Sequence, residues 1–394
     1  MTEQDAGKEA VPDEEQNGER QPSGRRKLIV TVAAVAVAAG TLVAVTQLAP
    51  PEDAAPVANT APAGPLPELP SSMPPPSSQQ PPPSQPPAQA PARQGQEFDA
   101  WVGKVAEWLD VPARVMTGYA KATVAMAKER PNCHLSWVTL AAVGRVATNH
   151  GRTGGGPIGD DGTAGAPIGT VGVRDFYDKV VSAPKATGPM QLTPALWQKY
   201  RGEAADVQNI DDSALAAGRA LCDGDRDLAV GKAWWDGVAV LQSAPVILHR
   251  ALATANVYGT IGKASVPPKP AVLQAVNFAI EKIGLPYVWG GNGEEKGDLG
   301  FDCSGLTTAA YGTAGITLKR TAHWQYGSVP LIPQGSEPEL GDLIFYGEPS
   351  TKIHHVGLYI GNQQMIDAPT FGQAVQVHTY RKAGDDYAGA GRPA

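Results

Sequence analysis

The chain has 394 residues, a formal net charge of −7, 36 prolines and 3 cysteines. That length is enough for two domains plus appendages. The acidic balance, without a basic cluster outside residues 25–27, argues against a nucleic-acid partner, and the histidines show no zinc-binding spacing. The sequence therefore predicts no nucleic-acid partner, no metal site and no cofactor.

The first two segments predict a cytoplasmic tail followed by a single transmembrane helix that acts as a signal anchor. Residues 1–24 are polar and lack aromatic side chains, as is typical of disordered tails. Residues 25–49 open with Arg25-Arg26-Lys27 and continue as an apolar run long enough to cross the roughly 30 Å hydrocarbon core of a bilayer. Because basic residues precede the run and acidic residues follow it, we expect a cytoplasmic N-terminus and extracytoplasmic domains.

Two other interpretations of this apolar run remain open. A cleaved signal peptide fits its alanine-rich composition, although the polar tail in front and the length of the run favour an uncleaved anchor. A buried helix of a soluble domain is disfavoured because the run has no charged face. As an anchor or as a signal peptide, the run predicts that the domains after it are exported.

Residues 50–96 predict an extended stalk. They are mostly Pro, Ala, Ser and Gln, without spaced apolar positions from which a core could form. Such a segment behaves as a semi-rigid polyproline-type spacer, reaching at most roughly 140 Å at ~3.1 Å per residue. Signalling motifs are a weaker interpretation of its proline clusters, because the stalk would be extracytoplasmic.

The stretch 97–262 predicts an all-α domain with one glycine-rich excursion. Apolar residues recur there at helical spacing, and cap and stop signals bound the segments. The predicted elements are, in chain order, a helix from Phe98 to Leu109, a second helix that Asp110 and Pro112 open, a third helix from Trp137 to His150 that Ser136 caps and Gly151 ends, a loop over Gly154–Val173, and helices resuming near Pro194.

Three stretches of this domain resemble the lysozyme-like lytic transglycosylase family of exported actinobacterial proteins. They are Gly144–Arg152, Gly188–Trp197 and Gln208–Asp212. The resemblance implies a lysozyme-like fold with a glycan-binding groove. Within that groove, Gln191 and Trp197 are the residues that we expect to contact glycan.

The same domain lacks the catalytic carboxylate that the resemblance implies. Where the family carries Glu-Ser, this chain has Ala147-Thr148, and an alanine methyl cannot act as a general acid. The Tyr-Asn pair that the family carries on a later helix is also absent. Asp160 and Asp161 lie in a glycine-rich loop, where a solvated turn is the ordinary explanation. The sequence therefore predicts a catalytically inactive domain; residual transglycosylase activity and a role as spacer or docking module remain alternatives.

Residues 263–270 form a proline-rich hinge before a second domain, 271–394, which contains a candidate nucleophile. Cys303 lies between a glycine-bearing loop and a predicted helix start, so the positive end of the helix dipole would stabilise its thiolate. A lone cysteine is more often a small buried hydrophobe. The interpretation as a nucleophile therefore depends on a matching base.

The candidate base is His355, with His354 as the spare. Residues 354–360 alternate as a strand, which places His355 on the face opposite the core-like residues. After a turn, Asp367 lies in an apparent hairpin partner strand, near enough to hold the imidazole in one tautomer. A lone histidine on a strand is more often structural, but the order and spacing of Cys303, His355 and Asp367 together predict catalysis.

At these residues the chain resembles the NlpC family of papain-like cell-wall cysteine peptidases. The matching pieces are, in order, Gly284–Gly291, Asp302–Leu306, Leu318–Thr321 with Gln325, Leu340–Tyr346 and His355–Gly361. The resemblance implies an α+β fold, an antiparallel sheet packed against helices, with Cys303 as nucleophile, His355 as base and Asp367 at a third position that is often histidine in the family.

The resemblance also implies substrate-binding residues around the thiol. Tyr287 would bind substrate or stabilise the oxyanion, although a core tyrosine is an equal alternative. Asp302 and Ser304 would fix the substrate backbone. Because an exported chain favours disulfides and Cys303 is already assigned, Cys133 and Cys222 are left to form a bridge; two separate buried thiols are the alternative.

Together these features predict a multidomain, membrane-anchored, wall-facing endopeptidase. The resemblance implies that its partners are peptidoglycan stem peptides and glycan strands, and that it cleaves between D-isoglutamate and the following diamino acid. Cell-wall or secretion machinery proteins are further candidate partners. The competing hypothesis is a non-hydrolytic wall-binding scaffold of an export or DNA-transfer apparatus.

Overall fold

The computed structural model of the protein describes residues 90–204 and 206–394. The predicted tail, the predicted membrane anchor and most of the predicted stalk lie outside this range. Within it, no helix combines the length and the apolar character that crossing a membrane requires. The described residues form a helical domain followed by an α+β domain.

The helical domain contains seven α-helices among the described residues. They are α1 (Ala90–Leu109), α2 (Ala113–Glu129), α3 (Trp137–Thr148), α4 (Pro194–Tyr200), α5 (Ile210–Leu221), α6 (Gly231–Leu241) and α7 (Pro245–Lys263). Helix α1 begins inside the stretch 50–96 that the sequence assigned to the stalk. Pro91 is compatible with this start, because proline in the first turn forfeits no intrahelical hydrogen bond.

The residues that flank helix α3 determine where the helix begins and ends. The Ser136 side chain accepts a hydrogen bond from the Val138 amide at 3.2 Å, which caps the helix as the sequence indicates. The helix ends at Thr148, two residues before the predicted end, because Asn149 and His150 adopt left-handed backbone angles with φ of 46° and 59°. The following residues up to 193 run irregularly, with isolated β-bridges.

A disulfide and a buried aromatic core hold the helical domain together. Cys133 and Cys222 are bonded across 89 residues of sequence, joining the end of α2 to the end of α5. Trp234 is fully buried and donates its indole N–H to Thr139 at 3.0 Å. The disulfide thus closes a long loop around a packed core.

The second domain is an α+β unit with an antiparallel sheet. Its helices are α8 (Pro270–Lys282), α9 (Cys303–Thr313) and α10 (Ala322–Tyr326), and its strands are β1 (Leu343–Glu348), β2 (Lys352–Gly361), β3 (Gln364–Asp367), β4 (Gln376–Thr379) and β5 (Tyr387–Gly391). The strand order is β4-β3-β2-β1-β5, with all neighbours antiparallel.

The alternation along β2 separates two faces of the sheet. Val356, Leu358 and Ile360 belong to the large core shared with the helices. Tyr359 packs instead in a smaller cluster on the opposite face, with Met365 among its members. The period-2 pattern of this strand therefore matches the predicted core-like and site-bearing faces.

The two domains pack directly against each other through α7. The buried His249 accepts a hydrogen bond from the Val377 amide of β4 at 3.3 Å, and Asn256 donates to Gln364 of β3. Gly361 has a φ of 88°, and a Cβ there would lie 1.9 Å from Thr260 Oγ1, so only glycine permits this approach. The segment 263–270, interpreted as a hinge, thus connects two domains that share one core.

Candidate active site

Cys303 is the first residue of α9 and the free cysteine among the described residues. The Asp302 side chain caps the helix by accepting from the Gly305 amide at 2.6 Å. The thiol therefore stands at the positive end of the helix dipole, beside the free backbone N–H groups of the first turn. Cys303 is buried, with 8% of its surface exposed, and lines an open cleft.

Asp302 and Ser304 are engaged by an arginine whose function was not recognised in the sequence. Arg320 forms a bidentate pair with the Asp302 carboxylate, both nitrogen–oxygen distances being 2.9 Å, and donates to Ser304 Oγ at 3.1 Å. The same guanidinium donates to Asn292 at 2.7 Å. These contacts hold the loop before α9 against Arg320, so any contact of Asp302 or Ser304 with substrate remains a prediction.

His355 lies on β2 beside the thiol. Its Nε2 is 2.7 Å from Asp367 Oδ2, and it is hydrogen-bonded to Cys303. Because Nε2 faces the carboxylate, Nδ1 is the ring nitrogen left for sulfur. Burial alone would lower the pKa of His355, but the hydrogen bonds with Asp367 and Cys303 outweigh it and raise that pKa to about 10.

Asp367 ends β3 and lies almost fully buried, with 2% of its side chain exposed. Burial alone would raise its pKa, but the neighbouring His378 and His355 imidazoles outweigh it and hold the pKa well below its usual range. The hairpin between β2 and β3 turns at Asn362 and Gln363, whose φ angles of 52° and 59° suit a type I′ turn.

Gly357 leaves the space in which the contact between His355 and Asp367 forms. A Cβ there would lie 2.4 Å from Met365 Sδ and 3.4 Å from Asp367 Cβ. A larger side chain at Gly357 would therefore displace the Met365 side chain, which packs beside Asp367.

Two further histidines lie near this site, one that the sequence indicated and one that it did not. His354 lines the same cleft but pairs with Asp386 at 2.6 Å, with half of its side chain exposed. His378, which the sequence analysis missed, places Nδ1 2.6 Å from Asp367 Oδ1. The only signal for His378 would have been recognition of β4 as a strand next to β3.

These groups line one cleft of about 740 Å³. Tyr287 is half-buried in its wall, where burial and then the charges of Cys303 and Asp302 raise the pKa of its hydroxyl. The hydroxyl therefore stays protonated and able to donate a hydrogen bond. Trp289, 83% exposed, forms an apolar rim on which a ligand could pack.

Gln191 and Trp197, the two residues predicted to contact glycan, both pack into the helical domain. Gln191 is buried, its Oε1 accepts from the Val171 amide at 2.7 Å, and its Nε2 donates to Gly169 O at 2.9 Å. The cavity next to Gln191 and Ala147 measures only about 10 Å³, too small for a sugar. The prediction for Gln191 therefore needs correction: its side chain holds the loop in place. Trp197 is partly buried against the core.

The remaining positions near the missing carboxylate have structural contacts as well. Thr148 donates to Pro189 O at 2.7 Å and accepts from the Gly151 amide at 2.8 Å. Asp161 accepts from the Thr163 amide at 2.9 Å in a local turn, as its glycine-rich surroundings suggested. Over the described residues, no group of three or more His, Cys, Asp or Glu side chains is arranged to hold a metal ion.

Comparisons with known proteins point to one family. The model of the NlpC/P60 family matches residues 284–388. Peptidoglycan endopeptidase RipB of Mycobacterium tuberculosis is 32% identical over 218 residues, covering 52% of this chain and 86% of that protein. The bifunctional muramidase/DL-endopeptidase CwlT of Bacillus subtilis is 44% identical over 92 residues, covering 23% of this chain and 27% of that protein.

A third relative and a solved structure are also similar to this chain. Gamma-D-glutamyl-L-lysine dipeptidyl-peptidase of Bacillus cereus is 35% identical over 129 residues, covering 32% of this chain and 37% of that protein. The solved structure of RipB from Mycobacterium tuberculosis is 35% identical, with a TM-score of 0.27, covering 31% of this chain and 64% of that one.

Proposed function

This chain belongs to the NlpC/P60 family, which includes peptidoglycan endopeptidases, and we propose that it hydrolyses peptidoglycan stem peptides with Cys303 as nucleophile. The observation that carries the proposal is the continuous contact from Cys303 through His355 to the buried Asp367. A thiol, an imidazole and a carboxylate in that order form a complete set for covalent acyl transfer.

The proposed reaction begins with a thiolate–imidazolium pair. The Cys303 thiolate attacks the carbonyl carbon of the scissile amide and forms a tetrahedral intermediate. The His355 imidazolium then gives its proton to the leaving amine, and the acyl-enzyme forms. His355, now neutral, takes a proton from water, which attacks the acyl group and releases the acid product and the thiolate, so that the thiolate–imidazolium pair is restored.

The proposed oxyanion donors come from the start of α9 and from Tyr287. Backbone amides at a helix N-terminus point toward the position where negative charge develops. The Tyr287 hydroxyl lies in the same cleft and is protonated at neutral pH. Asp302 and Ser304 contribute by fixing this loop through Arg320.

For the scissile bond, we propose the amide between D-isoglutamate and the following diamino acid. One relative carries the name gamma-D-glutamyl-L-lysine dipeptidyl-peptidase. The experiment is digestion of purified sacculi and defined muropeptides by residues 90–394, followed by mass spectrometry, with Cys303→Ala as control. Products cut at that bond, absent with Cys303→Ala, support the proposal; Cys303-independent anhydro-muropeptides would instead reveal transglycosylase activity.

The non-hydrolytic scaffold remains the competing function, and thiol chemistry separates the two. A catalytic Cys303 should be alkylated by iodoacetamide near neutral pH in the folded protein, whereas a buried structural thiol should resist. A Cys303 that stays unmodified, together with undigested sacculi, would favour the scaffold in a cell-wall or secretion apparatus.

We also propose that the helical domain contacts peptidoglycan without cleaving it, through a basic cleft rather than through Gln191. The cleft measures about 560 Å³ and is lined by four arginines, Arg145, Arg152, Arg174 and Arg250. Asp110 and Glu281 also line the cleft, and Arg152 and Arg174 pair with Asp110 and Asp178, so four arginines face two carboxylates in the lining. Arg145 is hydrogen-bonded to the Tyr258 hydroxyl, and Arg250 donates to two backbone carbonyls. Peptidoglycan carboxylates are the complementary ligands.

Sedimentation with purified sacculi tests this contact. Combining Arg145→Gln and Arg174→Gln in the Cys303→Ala protein should lower the bound fraction several-fold at low salt, whereas Arg130→Gln on an exposed surface should not. Equal binding by all three proteins would remove the basic cleft from the proposal.

The proposed location is the extracytoplasmic side of the cell membrane, facing the wall. Its support is the apolar run within residues 25–49 and the basic residues before it. Protease accessibility of the folded domains on intact spheroplasts, with and without deletion of residues 28–49, tests it. We expect the domains of the full chain to be digested, and the form without residues 28–49, which has lost its export signal, to be protected inside the cell.

A further inference from the structure

The carboxylate of Asp367 stands between two imidazoles, one on each oxygen. Oδ2 lies 2.7 Å from His355 Nε2, and Oδ1 lies 2.6 Å from His378 Nδ1. The carboxylate itself is nearly inaccessible, whereas a quarter of the His378 side chain is exposed to the cleft. Both oxygens of a buried carboxylate need hydrogen-bond donors. Because the two oxygens belong to one rigid group, each imidazole also helps to orient the oxygen that faces the other imidazole.

We propose that His378 is a positioning residue of the peptidase reaction, holding Asp367 so that Asp367 holds His355 toward Cys303. This inference rests on the proposed function and adds a fourth member to the set. Without the donor on His378, Oδ1 would be a buried acceptor without its hydrogen bond, and the carboxylate could rotate away from His355. A small displacement of a catalytic base lowers the rate of the chemical step.

The strand that carries His378 is anchored from the helical domain. His249 of α7 is fully buried, accepts from the Val377 amide, and packs edge-on against Trp235 at a ring-centroid distance of 5.0 Å. Val377 is the neighbour of His378 on β4 and is itself buried. The helical domain therefore fixes the position of His378 and, through it, the geometry of the peptidase site.

The groups around Asp367 define what a pH-dependent measurement reports. From β1, Tyr346 interacts electrostatically with Asp367 and donates its hydroxyl proton to Tyr380 O. Tyr380, Lys382 and Asp385 line the same cleft farther along the chain, and Cys303 lies beyond His355. The hydrogen bonds to the two Asp367 carboxylate oxygens described above come from His355 and His378.

The test compares two substitutions in residues 90–394. His378→Asn keeps an N–H donor near the position of Nδ1, whereas His378→Val removes it. We expect His378→Val to lower kcat by about 10- to 100-fold with little change in KM, and to move the alkaline limb of the pH–rate profile to lower pH. His378→Asn should restore most of kcat.

Two controls keep this test independent of the peptidase assay. His134→Val, at an exposed histidine of the helical domain that pairs with Asp227 and does not line the cleft, should leave both profiles unchanged. The rate of Cys303 alkylation at pH 7 needs no substrate, and it should fall several-fold in His378→Val but not in His378→Asn. Wild-type protein that is alkylated rapidly but cleaves no muropeptide would refute the proposed substrate and leave the His378 proposal standing.

The proposal is overturned by either of two results. One is a folded His378→Val protein whose kcat, pH profile and alkylation rate equal those of the wild type. The other is a rise in KM alone, which would mean that His378 contacts substrate and does not act through Asp367.

Discussion

At the residue scale, the proposed mechanism depends on the protonation state of His355. Its pKa of about 10 keeps the ring positively charged at neutral pH, beside the buried Asp367 carboxylate. Because the folded pKa is raised above the ordinary 6.5, this ion pair stabilises the fold below that value, and the contribution is lost as pH rises through the folded pKa. Asp367 acts in the opposite sense, since its lowered pKa contributes stability that is lost as pH falls.

A pH–rate profile checks this assignment. We expect kcat/KM to hold a plateau from neutral pH to about pH 9 and to fall at higher pH, because deprotonated His355 cannot protonate the leaving amine. Asp367→Asn removes the charge that supports the imidazolium, so its alkaline limb should lie at lower pH and its kcat should be at least about 100-fold lower. A wild-type limb near the ordinary pKa of a free histidine would contradict the assignment.

Arg320 allows a second residue-scale prediction. Arg320→Gln removes the bidentate partner of Asp302, a side chain that is only 14% exposed, and should destabilise the fold by about 1–3 kcal/mol. It should also lower kcat, because Asp302 caps the helix that presents Cys303. Urea unfolding and muropeptide kinetics measure the two effects. Arg381→Gln is the matched control, since Arg381 also pairs with an aspartate, Asp385, but does not itself line the cleft; equal losses in both variants would contradict a specific role for Arg320.

Individual residues could be placed from the sequence where the two-residue period of a strand determines the face on which a side chain lies. Alternation along one strand separated His355 from His354 without any knowledge of the fold. Prediction from the sequence failed for Gln191 and for His378. Gln191 is buried by backbone groups of a loop distant in sequence, at 169 and 171, and His378 reaches Asp367 only because β4 pairs with β3. Neither contact has a local sequence signal.

At the element scale, the disulfide supports the helical domain from outside the cleft that Cys303 lines. Cys133 and Cys222 close a loop of 89 residues, and losing such a bridge costs roughly 2–5 kcal/mol in small exported domains. Cys133→Ser with Cys222→Ser should lower the free energy of unfolding by that amount. In protein that remains folded at 25 °C, kcat should stay within about twofold of wild type, since neither cysteine lines the cleft.

Denaturant unfolding of the double variant, with and without reductant, measures this effect. Reductant should destabilise the wild type toward the variant and leave the variant unchanged. A variant as stable as the oxidised wild type would show that the bridge contributes nothing to folding.

Element boundaries were predicted less well than element types, for physical reasons that individual residues show. Asn149 and His150 leave the helix because they adopt left-handed backbone angles, a choice that tertiary contacts stabilise. Helix α1 extends back to Ala90 across a stretch whose composition resembles the stalk. Composition marks the polyproline character of the preceding segment but cannot mark the turn at which packing begins to favour a helix.

At the scale of the whole molecule, α7 joins the two domains into one folding unit. Proline composition at 263–270 indicated a hinge, yet the sequence carries no signal that Val246 packs on Gly284 or that His249 reaches β4. Buried residues of both domains form one continuous cluster. Separating the domains would expose this shared apolar surface, which is unfavourable in proportion to its area.

We therefore expect residues 90–394 to unfold in a single cooperative transition. Calorimetry should give equal calorimetric and van't Hoff enthalpies, and tryptophan fluorescence of the helical domain should report the same midpoint as the loss of muropeptide cleavage. His249→Leu, which leaves the Val377 amide without its acceptor, should lower that midpoint for both probes together. Two separate midpoints, or a variant in which only the tryptophan signal shifts, would mean that the domains fold independently and that the helical domain does not support the peptidase site.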